Sequence, residues 1–205
     1  MPQCNYALHL ITDNRIDGLL ELIAAAVDGG VTCVQLRNKF ADKLPLYEVG
    51  KKIQTLLKPK KIPLIINDHV DLAIALDADG VHIGQTDLPY EKVRHMLGKH
   101  KIIGLSLQTI EQAIQAQKYD VDYFGVGPIF YTETKTDAVV SGLTVLKAIA
   151  GMMQKPCIAI GGIQISNVKP VIAQGAQGIA VVSGICAAEN PKLATIHYVE
   201  ELKNA

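Results

Sequence analysis

The stretch PLIINDHVDLAIALDADGVHIGQTD, residues 63–87, contains two short apolar runs, PLIIND (63–68) and GVHIG (80–84), separated by a segment of helical length. Both runs are hydrophobic almost without interruption instead of alternating with polar residues. Continuous runs of this kind mark strands covered on both faces, and such strands pair in parallel. Parallel neighbours need a crossover, so the stretch reads as one strand, one helix and the next strand.

The same pattern extends in both directions. ALHLIT (7–12), TCVQLR (32–37), KIIGLS (101–106), YFGVG (123–127), PCIAIGG (156–162) and GIAVVSG (178–184) complete a set of eight strands. Between them the apolar positions recur every three to four residues, as at Leu46, Val49, Ile53 and Leu56, or at Leu193, Ile196, Val199 and Leu202. These spacings predict amphipathic helices. Expected N-terminal caps are Asp42, Asp87 with Pro89, Thr109 with Gln112 following, Ser166, and Asn190 before Pro191. Gly29, Gly30, Gly98 and Gly175 fall where helices hand over to strands.

Eight such units in 205 residues leave about 25 residues each, close to the lower limit of about 200 residues for a closed barrel. The fold expected is therefore α/β, a single-domain (β/α)8 TIM barrel over residues 1–205. An open doubly wound sheet is the competing architecture. It calls for a glycine-rich turn after its first strand, whereas this one ends in Thr12, Asp13 and Asn14.

Hydrophobic residues make up 49% and aromatics 5%, with no Trp, so the core is expected from Ala, Val, Ile and Leu. Twenty basic residues balance twenty acidic ones, and no basic run interleaves with aromatics, which argues against a nucleic-acid partner. The N-terminal MPQCNYALHLITDN has no basic leader before an apolar block, and no apolar stretch is long enough to span a bilayer. The expectation is a soluble, cytoplasmic protein without a membrane partner, its state as monomer or homo-oligomer left open. Cys4, Cys33, Cys157 and Cys186 lack C-x-x-C spacing and read as reduced and structural.

In a parallel barrel the active site forms at the carboxyl ends of the strands. Strand two ends in Gln35, Arg37 and Lys39, strand three in Asn67 and Asp68, strand four in Gln85 and Asp87, and strand five at Ser106. Strand seven ends in Gly161 and Gly162, strand eight in Ser183 and Gly184, while the strand starts are bland. An Asp after a strand is often only a helix cap, and paired glycines often only make a tight turn; the convergence of six strand ends gives these residues their weight.

Asp68 and Asp87 terminate neighbouring strands and can share one ion. Two carboxylates with no His or Cys pairing suit Mg²⁺, completed by substrate phosphates. A zinc barrel would want paired histidines on strand one, which carries His9 alone. Arg37 and Lys39, two residues apart on a strand, can point at one anion, the Arg as a bidentate fork and the Lys as a point charge. The two glycine-bearing turns after strands seven and eight suit a monophosphate held by backbone N–H groups. The long polar connection GPIFYTETKTDAVVSG (127–142) reads as a binding loop that brings Thr132, Thr134 and Lys135. Two anion sites on one rim imply a reaction between two phosphorylated molecules.

QLRNK (35–39), IND (66–68), GVHIGQTD (80–87), the G-x-S at 104–106, GPIFYTETK (127–135), IAIGGI (158–163) and AVVSGI (180–185) occur in order along the chain. By these motifs, over essentially its whole length, the sequence resembles the thiamine phosphate synthase family. The resemblance implies that Gln35, Leu36, Arg37, Asn38 and Lys39, with Asn67, Ser106 and Lys135, hold an aminopyrimidine diphosphate, and that Asp68 and Asp87 bind its Mg²⁺. Thr132, Glu133, Thr134, Gly162, Val182 and Ser183 would hold the thiazole phosphate. The implied reaction is a transfer of the pyrimidinylmethyl group to the thiazole nitrogen, giving thiamine phosphate and diphosphate, with Arg37, Lys39, Ser106 and Lys135 in catalytic roles.

Two departures from the family pattern stand out. The family often has His two places after the pocket serine, where this chain has Gln108, and an acidic residue is common where it has Asn38. A thiazole tautomerase on the same barrel is a competing reading, but it needs a proton shuttle, which Gln108 cannot provide. A non-catalytic thiamine phosphate binding protein is a second alternative.

Overall fold

The computed structural model describes residues 5–13, 18–132 and 139–205. Eight parallel strands close into a barrel in chain order: β1 (Leu8–Ile11), β2 (Cys33–Leu36), β3 (Leu64–Asn67), β4 (Gly80–Ile83), β5 (Ile102–Leu107), β6 (Tyr123–Val126), β7 (Cys157–Ile160) and β8 (Gly178–Val181). Every expected apolar run coincides with one of them, β5 alone extending one residue beyond its run, to Leu107. Each strand pairs only with its sequence neighbours and β8 returns to β1, so the sheet has no free edge.

The helices that cover the barrel are α1 (Leu19–Gly29), α2 (Lys43–Leu57), α3 (Val70–Leu76), α4 (Tyr90–Leu97), α5 (Ile110–Ala116), α6 (Gly142–Met152), α7 (Val168–Ala173), a short α8 (Ser183–Cys186) and α9 (Pro191–Lys203). On α2, Leu46, Val49 and Ile53 are buried, and Leu57 rather than Leu56 completes the stripe. Thr109 and Asn190 cap α5 and α9, their side chains accepting from Gln112 N–H and Leu193 N–H at 3.3 and 3.0 Å. Asp42 holds the N-cap position of α2 without a side-chain bond.

Several sequence-based expectations are corrected here: Pro89 rather than Asp87 holds the N-cap position of α4, and Ser166 and the inward face of α9 also differ. Ser166 is no cap. It lies inside a 3₁₀ turn (Ile165–Asn167) whose capping box is formed by Gln164 and Asn167. On α9 the fully buried residues are Thr195 and Tyr198; Val199 and Leu202 of the expected stripe pack partly buried against the core, while Leu193 is 48% exposed. The reason is the closeness of α1: a Cβ at Gly29 would come within 2.6 Å of Thr195 Cβ, so the approach excludes a large aliphatic side chain. Thr195 satisfies its hydroxyl on Pro191 O at 2.8 Å.

Outward-facing strand residues and the helices form the large aliphatic core, including Leu8, Leu10, Val34, Leu36, Ile66 and Val81. A second, smaller cluster lies inside the barrel around Ile11, Tyr123, Ile158 and Ala180. Cys33, Cys157 and Cys186 are buried; burial pushes the Cys157 thiol up to about 12, which disfavours its reactive thiolate. Cys4 lies outside the described residues. No helix among those described is long and apolar enough to cross a membrane.

Candidate active site

The carboxyl ends of the strands open into a cavity of about 820 Å³. Strand alternation decides which of residues 35–39 reach it. Gln35, Arg37 and Lys39 line the wall. Leu36 and Asn38, grouped with them by sequence, do not: Leu36 packs outward in the helix-covered core, and Asn38 turns inside its loop, Oδ1 accepting from the N–H groups of Phe40 and Ala41 at 3.0 Å each. Thr12, fully buried at the end of β1, fixes the backbone at Arg37 twice. Its Oγ1 accepts from Arg37 N–H and donates to Arg37 O, both at 2.9 Å.

Asp68 leaves β3 with φ 61, a left-handed conformation that Asp tolerates better than most residues, and its N–H donates to His82 O at 2.8 Å. Asp87 returns from the following loop, its Oδ2 accepting from Gly84 N–H at 2.6 Å. The Asp68 and Asp87 carboxyls are close enough to influence each other's charge. Burial, and after it the Asp87 charge, hold the Asp68 carboxyl above the ordinary Asp value, with Lys39 and His69 acting the opposite way. Burial lowers the Arg37 guanidinium, and Asp68 works against that shift.

Like charges held together in a half-buried wall are relieved by a cation between them. The donors are carboxylate oxygens, which fit Mg²⁺. Among the described residues no cluster of three or more His, Cys, Asp or Glu side chains forms a closed cage. The remaining ligands of such an ion would come from water and substrate phosphates.

The opposite wall carries no side-chain charge among its described residues. Gly162, with Ile163, and Val182, Ser183 and Gly184 line it. Phe130 N–H donates to Gly161 O at 3.0 Å, and Asn167 Nδ2 donates to Gly162 O at 3.0 Å. With both carbonyls held, the trans peptides fix the N–H groups of Gly162 and Ile163 on the other side. Tyr198 OH extends the brace from α9, donating to Ile163 O at 3.1 Å. Gly162 has φ 64, and a Cβ there would sit 2.6 Å from Tyr131 O, so no other residue fits this turn without distortion. Thr132 and Tyr131 also line the cavity. Glu133, Thr134 and Lys135 lie outside the described residues.

Ser106 and Asn67 reach the cavity as expected from the strand ends, and Gln85 Nε2 donates to Ser106 O at 2.6 Å. Gln108 lines it too; its N–H donates to Gln112 Oε1 at 2.7 Å and its carbonyl accepts from Ser141 Oγ at 2.8 Å. The residue that sequence reasoning missed is His82. Its Nε2 lies 2.8 Å from Ser106 Oγ and its Nδ1 3.0 Å from Tyr123 OH. It sits within β4 rather than at the end, so a search of strand ends passed over it; the signal available was a lone His at an inward-facing position of an apolar strand.

A closed parallel barrel with a cationic, carboxylate-bearing wall facing glycine-bearing turns after β7 and β8 has the architecture in which β/α barrels often build phosphate sites. Residues 8–185 match the model of the thiamine monophosphate synthase family. The chain is 45% identical over 195 residues to a thiamine-phosphate synthase of Clostridium acetobutylicum, covering 94% of this chain and 92% of that one. It is 43% identical to a thiamine-phosphate synthase of Desulfitobacterium hafniense, covering 98% and 99%. A solved thiamine phosphate pyrophosphorylase from Pyrococcus furiosus superimposes with a TM-score of 0.90 at 35% identity, covering 98% of each chain. The chain belongs to the thiamine monophosphate synthase family.

Proposed function

We propose that this barrel is a transferase, a thiamine-phosphate synthase. It joins 4-amino-2-methyl-5-(diphosphooxymethyl)pyrimidine to 4-methyl-5-(2-phosphooxyethyl)thiazole, forming thiamine phosphate and releasing diphosphate. The observation that supports this best is the division of one cavity into two unlike anion walls, in a chain whose family carries out this chemistry by name.

In the reaction the carbon–oxygen bond between the pyrimidine methylene and diphosphate breaks, and the thiazole nitrogen lone pair forms the new carbon–nitrogen bond. The electron-rich aminopyrimidine stabilises positive charge at its methylene, so departure of diphosphate runs ahead of attack. Arg37 and Lys39 oppose the charge that develops on the leaving diphosphate. Lys135 has the same role by resemblance. Asp68 and Asp87 would hold Mg²⁺, which supplies further positive charge at that oxygen cluster when bound. Gln35, Asn67 and Ser106 orient the pyrimidine half; the N–H groups of Gly162 and Ile163, with Ser183, anchor the thiazole phosphate. Enclosure by the rim keeps water from the cationic methylene. The nitrogen attacks as a free base, so no general base is needed, and Gln108 is compatible with that.

The test is direct. The full chain, mixed with both substrates and Mg²⁺, should form thiamine phosphate and diphosphate in equal amounts, and a chelator should stop it. Binding of both substrates without product would leave a sensor; isomerisation of a thiazole precursor without metal would leave a tautomerase. Either result would overturn the proposal.

A further inference from the structure

Three side chains from three adjacent strands meet beneath the diphosphate wall. In the register of β4, β5 and β6, His82 pairs with Gly104 and Gly104 pairs with Tyr123, so the three positions form one row across the sheet. The middle position has no side chain. A Cβ at Gly104 would lie 2.2 Å from Tyr123 Cζ, 2.4 Å from its OH and 2.5 Å from His82 Nδ1. One layer above, Gly125 stands opposite Ser106, and a Cβ there would lie 2.9 Å from His82 Cε1. Two glycines thus clear the slot in which the tyrosine hydroxyl reaches the imidazole at 3.0 Å and the imidazole reaches Ser106 Oγ at 2.8 Å.

A neutral imidazole has one donor and one acceptor nitrogen, so this chain has a direction. If Tyr123 donates to Nδ1, His82 carries its proton on Nε2, donates to Ser106 Oγ, and leaves the serine O–H for a ligand. If the direction is reversed, Ser106 donates to His82 and offers the ligand only lone pairs. The phenol is the more acidic hydroxyl and the stronger donor, which selects the first direction. Beneath it the His9 ring, 5.1 Å from Tyr123 edge-on and 5.5 Å from Tyr6, is buried, and burial together with His82 lowers it to about 3, so His9 supplies no competing cation.

We infer that Tyr123 is a positioning residue that sets the His82 tautomer and thereby makes the Ser106 hydroxyl a hydrogen-bond donor to substrate. The group that Ser106 meets is then an acceptor, a phosphoryl oxygen or a ring nitrogen of the pyrimidine diphosphate, and a donor there is rejected. This rests on the two-substrate reading of the cavity, but the tautomer itself does not depend on turnover.

The experiment has two arms. In ¹⁵N-histidine-labelled full-length protein, the His82 signals are assigned by their loss in His82→Gln; protonated Nε2 and bare Nδ1 are expected in the wild type. Protonated Nδ1 would overturn the inference, whatever the variants do. In Tyr123→Phe the tautomer is expected to change or become mixed, and kcat to fall about tenfold, with KM for the thiazole phosphate unchanged. Adding Ser106→Ala to that variant should cost little more, because both changes remove one donor. An unchanged tautomer in Tyr123→Phe, or losses that multiply in the double variant, would show that the tyrosine merely packs. Absence of thiamine phosphate from the wild type would count against the proposed function and leave the tautomer arm to decide this inference.

Discussion

Asp68 shows how much one residue's position constrains the chemistry. Its left-handed backbone and its proximity to Asp87 create a disfavoured pair of like charges. Removing a direct ligand should weaken a metal site at least as much as removing an outer partner, about 10- to 100-fold. Asp87→Asn is therefore expected to raise the Mg²⁺ concentration for half-maximal activity by that factor, with kcat falling as well; an unchanged Mg²⁺ titration would remove Asp87 from the site. His9 makes a pH prediction. It is held neutral in the fold, at about 3, against 6.5 for a free His. The unfolded chain therefore binds one more proton between those values, and stability is lost as pH falls below 6.5 towards 3. His9→Phe should flatten the acid limb of a Tm-against-pH curve by about one proton's worth; an unchanged slope would contradict it. At this scale the sequence was legible where charge sits at a strand end, as with Arg37, Lys39, Asp68 and Asp87. It was silent on His82, because the slot that admits the ring depends on the register that places Gly104 between it and Tyr123. The loop bonding of the short Asn38 side chain was not legible either.

The elements matter as levers on the loops they carry. The turn after β7 that we propose as the thiazole-phosphate cradle is held from behind by Asn167 at the start of α7 and Tyr198 on α9. Loss of one such hydrogen bond is worth about 0.5–1.5 kcal/mol. Asn167→Ala should accordingly raise KM for the thiazole phosphate about three- to tenfold, with KM for the pyrimidine diphosphate unchanged; equal changes in both would mean that the cradle is shared. All eight strands were legible because parallel strands buried on both faces need continuous apolar runs. The inward side of α9 was legible only in part: Val199 and Leu202 of the spaced set pack against the core, whereas the glycine contact with α1 favours Thr195 and Tyr198 as the fully buried residues. Periodicity measures hydrophobicity, whereas close helix approach selects small size and an available hydrogen bond.

Across the whole molecule the two ends of the barrel do different work. The amino-terminal end is fastened by Arg94, which donates to the carbonyls of Gly98, Lys101 and Asp120 and pairs with Asp122 at 3.1 Å. Asp122 in turn accepts from Ile103 N–H at 2.8 Å. Arg94→Ala should destabilise the fold by about 2–3 kcal/mol, read as a lower denaturation midpoint, while kcat/KM measured below the transition stays near wild type. A large loss of activity in folded Arg94→Ala would break this separation of ends. The rim is the other end, and it has two unlike halves. The most direct test is a crystal of the protein grown with Mn²⁺ in place of Mg²⁺, diphosphate and thiamine phosphate, with the metal located by its anomalous signal. The metal is predicted between Asp68 and Asp87 with diphosphate against Arg37 and Lys39, and the phosphate of thiamine phosphate against Gly162 and Ser183. A metal elsewhere, or the two anions exchanged between the walls, would contradict it.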